Sequence, residues 1–266
     1  MKDNKDLTQR KGAVKAAHIP PTVMDALNRG SIPSVNLTEW LAVDHRQLLM
    51  HVFADKPLYL KPLQDNMASL HQKSVRSTIM AIGEFLLQES KNSSDQQLLP
   101  FLSAHVSDSV RCWACYMIGT DPELSILQKL HAIQPFAADA HFGVREIAWM
   151  AVRNEVSLHL NESITLLSKW VSHPDENIRR FAVEVTRPCG VWCKHIDQLK
   201  TTPAIALPIL EPLKADTAVY VQNSVGNWLN DAGKSQPQWV KQLCEQWAVA
   251  ANSATTKIIK RASRNI

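Results

Sequence analysis

From about residue 74 to the end of the sequence, apolar residues recur at helical spacing behind one repeated local pattern: a β-branched anchor followed directly by a cation or an amide. The segments are SVRSTIMAIG, SVRCWACYMIG, GVREIAWMAV, NIRRFAVEVTR, YVQNSVGNWLN and IIKRASRNI. Their anchors, Val75, Val110, Val144, Ile178, Val221 and Ile259, are separated by 35, 34, 34, 43 and 38 residues. A period near 40 marks helical repeat proteins, about 40–47 residues for HEAT and armadillo units and about 34 for tetratricopeptides. The aromatic and Gly positions of the tetratricopeptide pattern are absent, whereas the turn from Asp175 to Arg179 suits HEAT. One helix pair cannot bury its own apolar face, so each unit must stack on the next. The spacing predicts an all-α, HEAT-like solenoid, a right-handed superhelix, over residues 20–266 as a single repeat domain. It is preceded by a polar, mobile segment over 1–19.

Helix breakers agree with this phase. Asp121-Pro122 and His173-Pro174 interrupt the chain between helices, and Asp108 and Asp175 precede the Val110 and Ile178 helices, where acids offset unpaired amides. The first helices of the pairs are expected near 122–133, 161–172 and 204–214. Leu37, Trp40 and Leu41 give 20–66 a helical apolar set as well.

Counted from each anchor, positions +3, +4, +7 and +8 are mostly apolar and form the core. Positions +2, +5 or +6, and +9 lie on another face, because helical neighbours recur every three or four residues. That face carries Glu146, Trp149, Met150 and Arg153 on one helix, and Arg180, Glu184 and Arg187 on the next. Asn223, Gly226, Asn227 and Asn230 follow, then Arg261 and Arg264. In a solenoid this face lines the concave side and gathers cations, amides, a few carboxylates and one exposed tryptophan, Trp149. Cations neutralise phosphates, and amides bond phosphates or base edges. Lys257 and Lys260 extend the basic stretch at the C-terminal end. The plainer alternative is a solvated helix face held by i, i+4 pairs such as Arg180 with Glu184.

Composition narrows the classes. The chain has 266 residues, 45% of them hydrophobic and 20% charged, with a net charge of 29 − 25 = +4, the balance of a folded globular protein. Only 8 residues are Gly, too few for a many-stranded β protein. No apolar run reaches the roughly 20 residues of a membrane span, and the start has no signal-peptide stretch. Five cysteines without a disulfide framework favour a reducing cytosol. Cys112-x-x-Cys115 lies inside a helix around Trp113, and Cys189-x-x-x-Cys193 with His195 has no partner loop, so small-residue packing outweighs zinc. No metal and no cofactor are expected. No Gly-rich phosphate loop or nucleophile turn is present. Trp113, Trp170, Trp239 and Trp247 sit at core spacings.

NIRRFAVEVTRP, the following VWCKHI, and LPILEPLKAD with YVQNSVGNWLNDAGKSQPQWV resemble the bacterial DNA alkylation repair family of the AlkC/AlkD type. The likeness is strongest over about 172–266 and extends more weakly back to about residue 70. The resemblance implies a monomeric DNA glycosylase that removes cationic N-alkylated purines, such as 3-methyladenine and 7-methylguanine, from duplex DNA. An alkylated purine is already a charged leaving group, so the enzyme needs a carboxylate to stabilise the sugar cation and direct a water, not a general acid. Carried over by position, Arg180 matches the groove arginine. Asn227 and Asn230 stand where the family has Trp and Arg, and His141 stands at an acidic position. Glu146 is the nearest carboxylate to take that role, with Glu184 and Asp231 as alternatives. Trp149, Arg153, Arg180, Arg187, Asn227, Asn230, Lys260, Arg261 and Arg264 are the expected DNA contacts. Two other readings share this surface: a HEAT scaffold for a protein or acidic peptide, and a DNA-binding relative without excision.

Overall fold

The computed structural model of the protein describes Leu7 and residues 9–72, 74–190 and 192–265, and every regular element among them is a helix. The chain divides into two compact units, residues 1–122 with 139–151, and residues 123–138 with 152–266.

The first unit holds α1 (Pro21–Asn28), α2 (Leu37–Ala42), α3 (His45–Val52), α4 (Pro57–Leu70), α5 (Val75–Asn92), α6 (Leu98–Ser103) and α7 (Asp108–Thr120). The second holds α8 (Ile126–Ala137), while α9 (Phe142–Leu158) begins in the first unit and ends in the second. The second unit continues with α10 (Leu160–Leu167), α11 (Glu176–Val185), α12 (Asp197–Thr201), α13 (Leu207–Leu213), α14 (Val219–Gly233), α15 (Pro237–Ala248) and α16 (Ser253–Ala262).

The anchor register is borne out: Val110, Val144, Ile178 and Val221 are all buried, while Val75 and Ile259 are half-buried. The residue after the anchor closes the turn. Arg111 donates to the carbonyls of His105 and Val106, Arg145 to those of Asp139 and Ala140, and Arg179 to those of His173 and Pro174. Gln222 does the same to Asp216 and Thr217. Each thus satisfies the carbonyls six and five residues earlier, which otherwise have no helical partner. At the first of those positions His105, Asp139, His173 and Asp216 each accept from the backbone N–H two residues on. Where that residue is Asp, an Arg reaches it from the preceding turn: Arg111 forks onto Asp139 at 2.7 and 3.0 Å, and Arg179 onto Asp216 at 2.7 and 3.0 Å. The cation of the repeat signature is therefore turn chemistry that ties successive pairs together.

Boundaries moved where local capping competed with proline. α8 starts at Ile126, not near 122, because Ser125 and Gln128 form a reciprocal capping box. Asp175 caps α11 as expected, accepting from Asn177 N at 2.8 Å. Asp108, buried, instead takes the backbone N–H and hydroxyl of Ser34 at 2.7 and 2.9 Å. Of the N-terminal segment, residues 1–6 and 8 lie outside the described residues. Arg10 is pinned by a 2.6 Å ion pair to buried Glu39.

Close helix packing explains one glycine. A Cβ on Gly119 of α7 would sit 2.3 Å from the Ala151 carbonyl oxygen of α9. Backbone cannot yield as a side-chain tip does, so Gly119→Ala should destabilise the fold by about 1–3 kcal/mol. Urea unfolding with an unchanged midpoint would show that the two helices can separate freely.

Candidate nucleic-acid interface

In the second unit α11, α14 and α16 pack in succession, and the polar positions predicted on their shared face form a row of two bonded groups, one joining α11 to α14 and one joining α14 to α16. Glu184 accepts from the Ser224 hydroxyl at 2.6 Å and pairs with Arg187 at 3.2 Å and Arg180 at 3.7 Å. Arg187 reaches across to Asp231 at 2.6 Å, which also holds Lys234 at 2.7 Å. Asn227 accepts from Arg261 at 3.4 Å and Arg264 at 3.3 Å. The guanidinium of Arg180 stacks 4.2 Å over the Tyr220 ring. Gly226 makes this possible on the α16 side, since a Cβ there would fall 2.8 Å from the stem of Arg261.

Electrostatics fix the centre of the row. Burial alone would lower the pKa of Arg187, but Glu184 and Asp231 overcome it and raise the value. Two nearly buried carboxylates thus share one cation. At the α16 end Lys257, Lys260 and Arg264 are exposed and Arg261 is half-exposed.

Four expected contacts are corrected by tertiary packing, the first being Arg180, which is buried against Glu184 and the Tyr220 ring. Trp149, placed in the groove by its helical position, is buried, and its indole N–H donates to Glu146 at 2.9 Å. Arg153 is also buried: its guanidinium donates to the carbonyls of Val185 at 2.8 Å, Arg187 at 2.6 Å and Lys194 at 3.2 Å. It caps the end of α11, where carbonyls lack helical partners, and so does not face a phosphate. Burial lowers its pKa, with Cys193 nearby pulling the other way. Asn230 is buried too, donating to the Ala262 carbonyl at 3.1 Å and accepting from Asn265 at 3.1 Å. Glu146 and Trp149 belong to the first unit, whereas the row belongs to the second.

The structure adds a residue that helical periodicity missed. Trp192, after α11, is 62% exposed, while the other tryptophans are buried or half-buried. Its φ of 59° is left-handed, which for a bulky residue costs about 1–2 kcal/mol. The Pro188–Gly190 pair marked a turn, but no sequence pattern gives the sign of φ at a tryptophan. Nearby Cys189 has its pKa raised by burial and, to a lesser degree, by the Asp231 charge.

The cysteines Cys112 and Cys115 are buried, and burial pushes both thiols well up. Among the described residues no group of three or more His, Cys, Asp or Glu could hold a metal ion, and no helix is long and apolar enough to cross a membrane.

Residues 139–266 match the sequence model of a family described as DNA alkylation repair enzymes. The uncharacterized protein YhaZ of Bacillus subtilis (strain 168) is 40% identical over 116 residues, 44% of this chain and 32% of that protein, so the match spans about a third of its length. Among solved structures, the Pseudomonas fluorescens alkylpurine DNA glycosylase AlkC, bound to DNA containing an abasic site analog, aligns with a TM-score of 0.65 at 24% identity. That alignment covers 80% of this chain and 59% of AlkC. AlkD2 from Streptococcus mutans aligns with a TM-score of 0.58 at 22% identity, over 78% of this chain and 97% of that one. The fold is the all-helical, HEAT-like repeat of these neighbours.

Proposed function

We propose that the protein binds duplex DNA along the row on α11, α14 and α16 and acts there as an alkylpurine DNA glycosylase. The observation that carries this is the carboxylate pair Glu184 and Asp231, joined by Arg187 within the stretch that matches the repair family. Hydrolysis breaks the bond between the sugar C1′ and the purine nitrogen, and its electron pair leaves with the base, neutralising the alkylated ring. Water adds to C1′, and its proton passes to a carboxylate. A pair of carboxylates stabilises the positive charge growing on the sugar, and the cations alongside hold the flanking phosphates. The carboxylate role passes from Glu146 to Glu184 and Asp231, because these two share one row with the cations. Trp192 supplies an exposed aromatic face against which a base stacks.

Lys260, Arg261 and Arg264 bind phosphates, so replacing all three with Gln weakens duplex binding at every sequence. The slope of log affinity against log salt then flattens by about 0.9 for each phosphate no longer neutralised. A duplex titration across salt checks this, and an unchanged slope removes the C-terminal cations from the interface.

The test of the activity is single-turnover release of free 3-methyladenine or 7-methylguanine from methylated duplex, run beside that titration. Release that slows in Asp231→Asn or Glu184→Gln supports the glycosylase. Salt-dependent binding without release assigns a non-catalytic DNA-binding protein, which His141 at the family's acidic position favours. Neither binding nor release leaves a protein or peptide scaffold.

A further inference from the structure

We propose that Arg153 is a positioning residue, a latch that fixes the turn carrying Trp192 and holds its indole out toward the ligand. The reading of Trp192 as a base-stacking face rests on the function proposed above; the latch itself rests on geometry alone. Arg153 lies on α9 in the second unit, distant in sequence from the turn, yet its three bonds straddle Trp192. Two go to the carbonyls of Val185 and Arg187 before it, and one goes to Lys194 after it. The turn rests directly on the guanidinium: a Cβ on Gly190 would fall 2.8 Å from Arg153 Cζ and Nε. Gly190 is not left-handed, so the absence of a side chain there answers this contact rather than a backbone need. Two further bonds close the base of the turn, from Ile196 N to the Pro188 carbonyl at 3.0 Å and from the Trp228 indole to the Thr186 carbonyl at 2.9 Å.

An exposed, left-handed tryptophan is not a conformation that the local chain prefers, and surface burial does not explain it. Something must hold the flanking backbone while the indole stands in water. A planar fork meets several carbonyls at once, as a lysine ammonium on a flexible stem cannot. Arg153 thereby fixes the one exposed Phe, Tyr or Trp ring among the described residues of the unit without touching a ligand, its own side chain being buried.

The experiment loosens the latch from both sides. Arg153→Lys keeps the charge and loses the fork; Gly190→Ala intrudes on the guanidinium from the turn. Trp192 emission is isolated as the difference between each protein and its Trp192→Phe counterpart, and acrylamide quenching of that difference is measured on protein shown by circular dichroism to be folded. A changed emission maximum and quenching constant in either variant are expected, with wild-type values elsewhere. A duplex containing an abasic-site analog then serves as the binding probe, with affinity falling about fivefold or more in both variants, as for the loss of one base stack. Unchanged Trp192 emission and quenching in folded Arg153→Lys overturn the latch. If that variant does not fold, the same null result in Gly190→Ala overturns it. Altered emission with no duplex binding by the parent protein leaves the latch standing and removes the DNA reading instead.

Discussion

Arg187→Ala is expected to destabilise the protein by about 3 kcal/mol, at the lower end of the roughly 3–5 kcal/mol seen when one partner leaves a buried ion pair. The side chain is 13% exposed and lies between two carboxylates that are each 5% exposed. Removing it leaves Glu184 with the Ser224 hydroxyl and a longer contact to Arg180, and Asp231 with the more exposed Lys234. Those remaining partners keep the loss from reaching the upper end. Urea unfolding at pH 7 measures the change, and Arg187→Lys should recover part of it, because one ammonium can pair with one carboxylate but not fork across two. Wild-type stability in Arg187→Ala would show that the carboxylates relax into water, and the row would then be a solvated surface. Loss of duplex binding in an Arg187 variant is interpretable only at a temperature where that variant is folded.

The second large effect is a loss of stability in mild acid, carried by His45. This residue is buried in the first unit, and the Trp113 indole donates to its Nδ1 at 3.2 Å, so the ring proton sits on Nε2, which has no protein partner. Burial pushes its pKa down to about 4 from 6.5, against the smaller opposing pull of Asp44. Between those values the unfolded chain binds a proton that the folded chain refuses, so stability falls as the pH drops below about 6.5 and the loss levels off near pH 4. The shift corresponds to about 3 kcal/mol at the acid end. His105 and His141 are also lowered by burial and act in the same direction. Comparing unfolding free energies at pH 7.5 and 4.5 in the parent and in His45→Asn isolates the His45 share. Parallel pH profiles would mean that His45 protonates in place.

The reading from sequence was strongest where a position repeats. The apolar register after Val110, Val144, Ile178 and Val221 follows from helical geometry alone, since a residue at the anchor can face only the neighbouring pair. The cation after each anchor was equally visible, but its purpose was not. Its target carbonyls lie five and six residues back in a turn, a distance no helical periodicity describes. The polar face on α11, α14 and α16 was likewise legible as a set, and the bonds from Ser224 to Glu184, Arg187 to Asp231 and Arg264 to Asn227 join helices through residues that position assigns to it or places beside it.

What sequence could not settle is which of those polar groups the protein keeps for itself. Arg153, Arg180 and Arg187 look alike as cations on successive helices, and Trp149 looks more exposed than Trp192, which lies outside any helix. Their fates depend on what packs above them and on where helix ends leave carbonyls unpaired. The end of α11 draws Arg153 inward because the Val185 and Arg187 carbonyls need donors there, a third bond to Lys194 holds the far side of the turn, and Trp192 between them stands exposed. Local pattern therefore determined the helices, their repeat and their buried face, since those follow from each residue's neighbours three and four positions away. Only tertiary structure decided which charges are bonded within the protein and which aromatic face meets solvent, because hydrogen-bond demand at a helix end is met by residues far away in the chain.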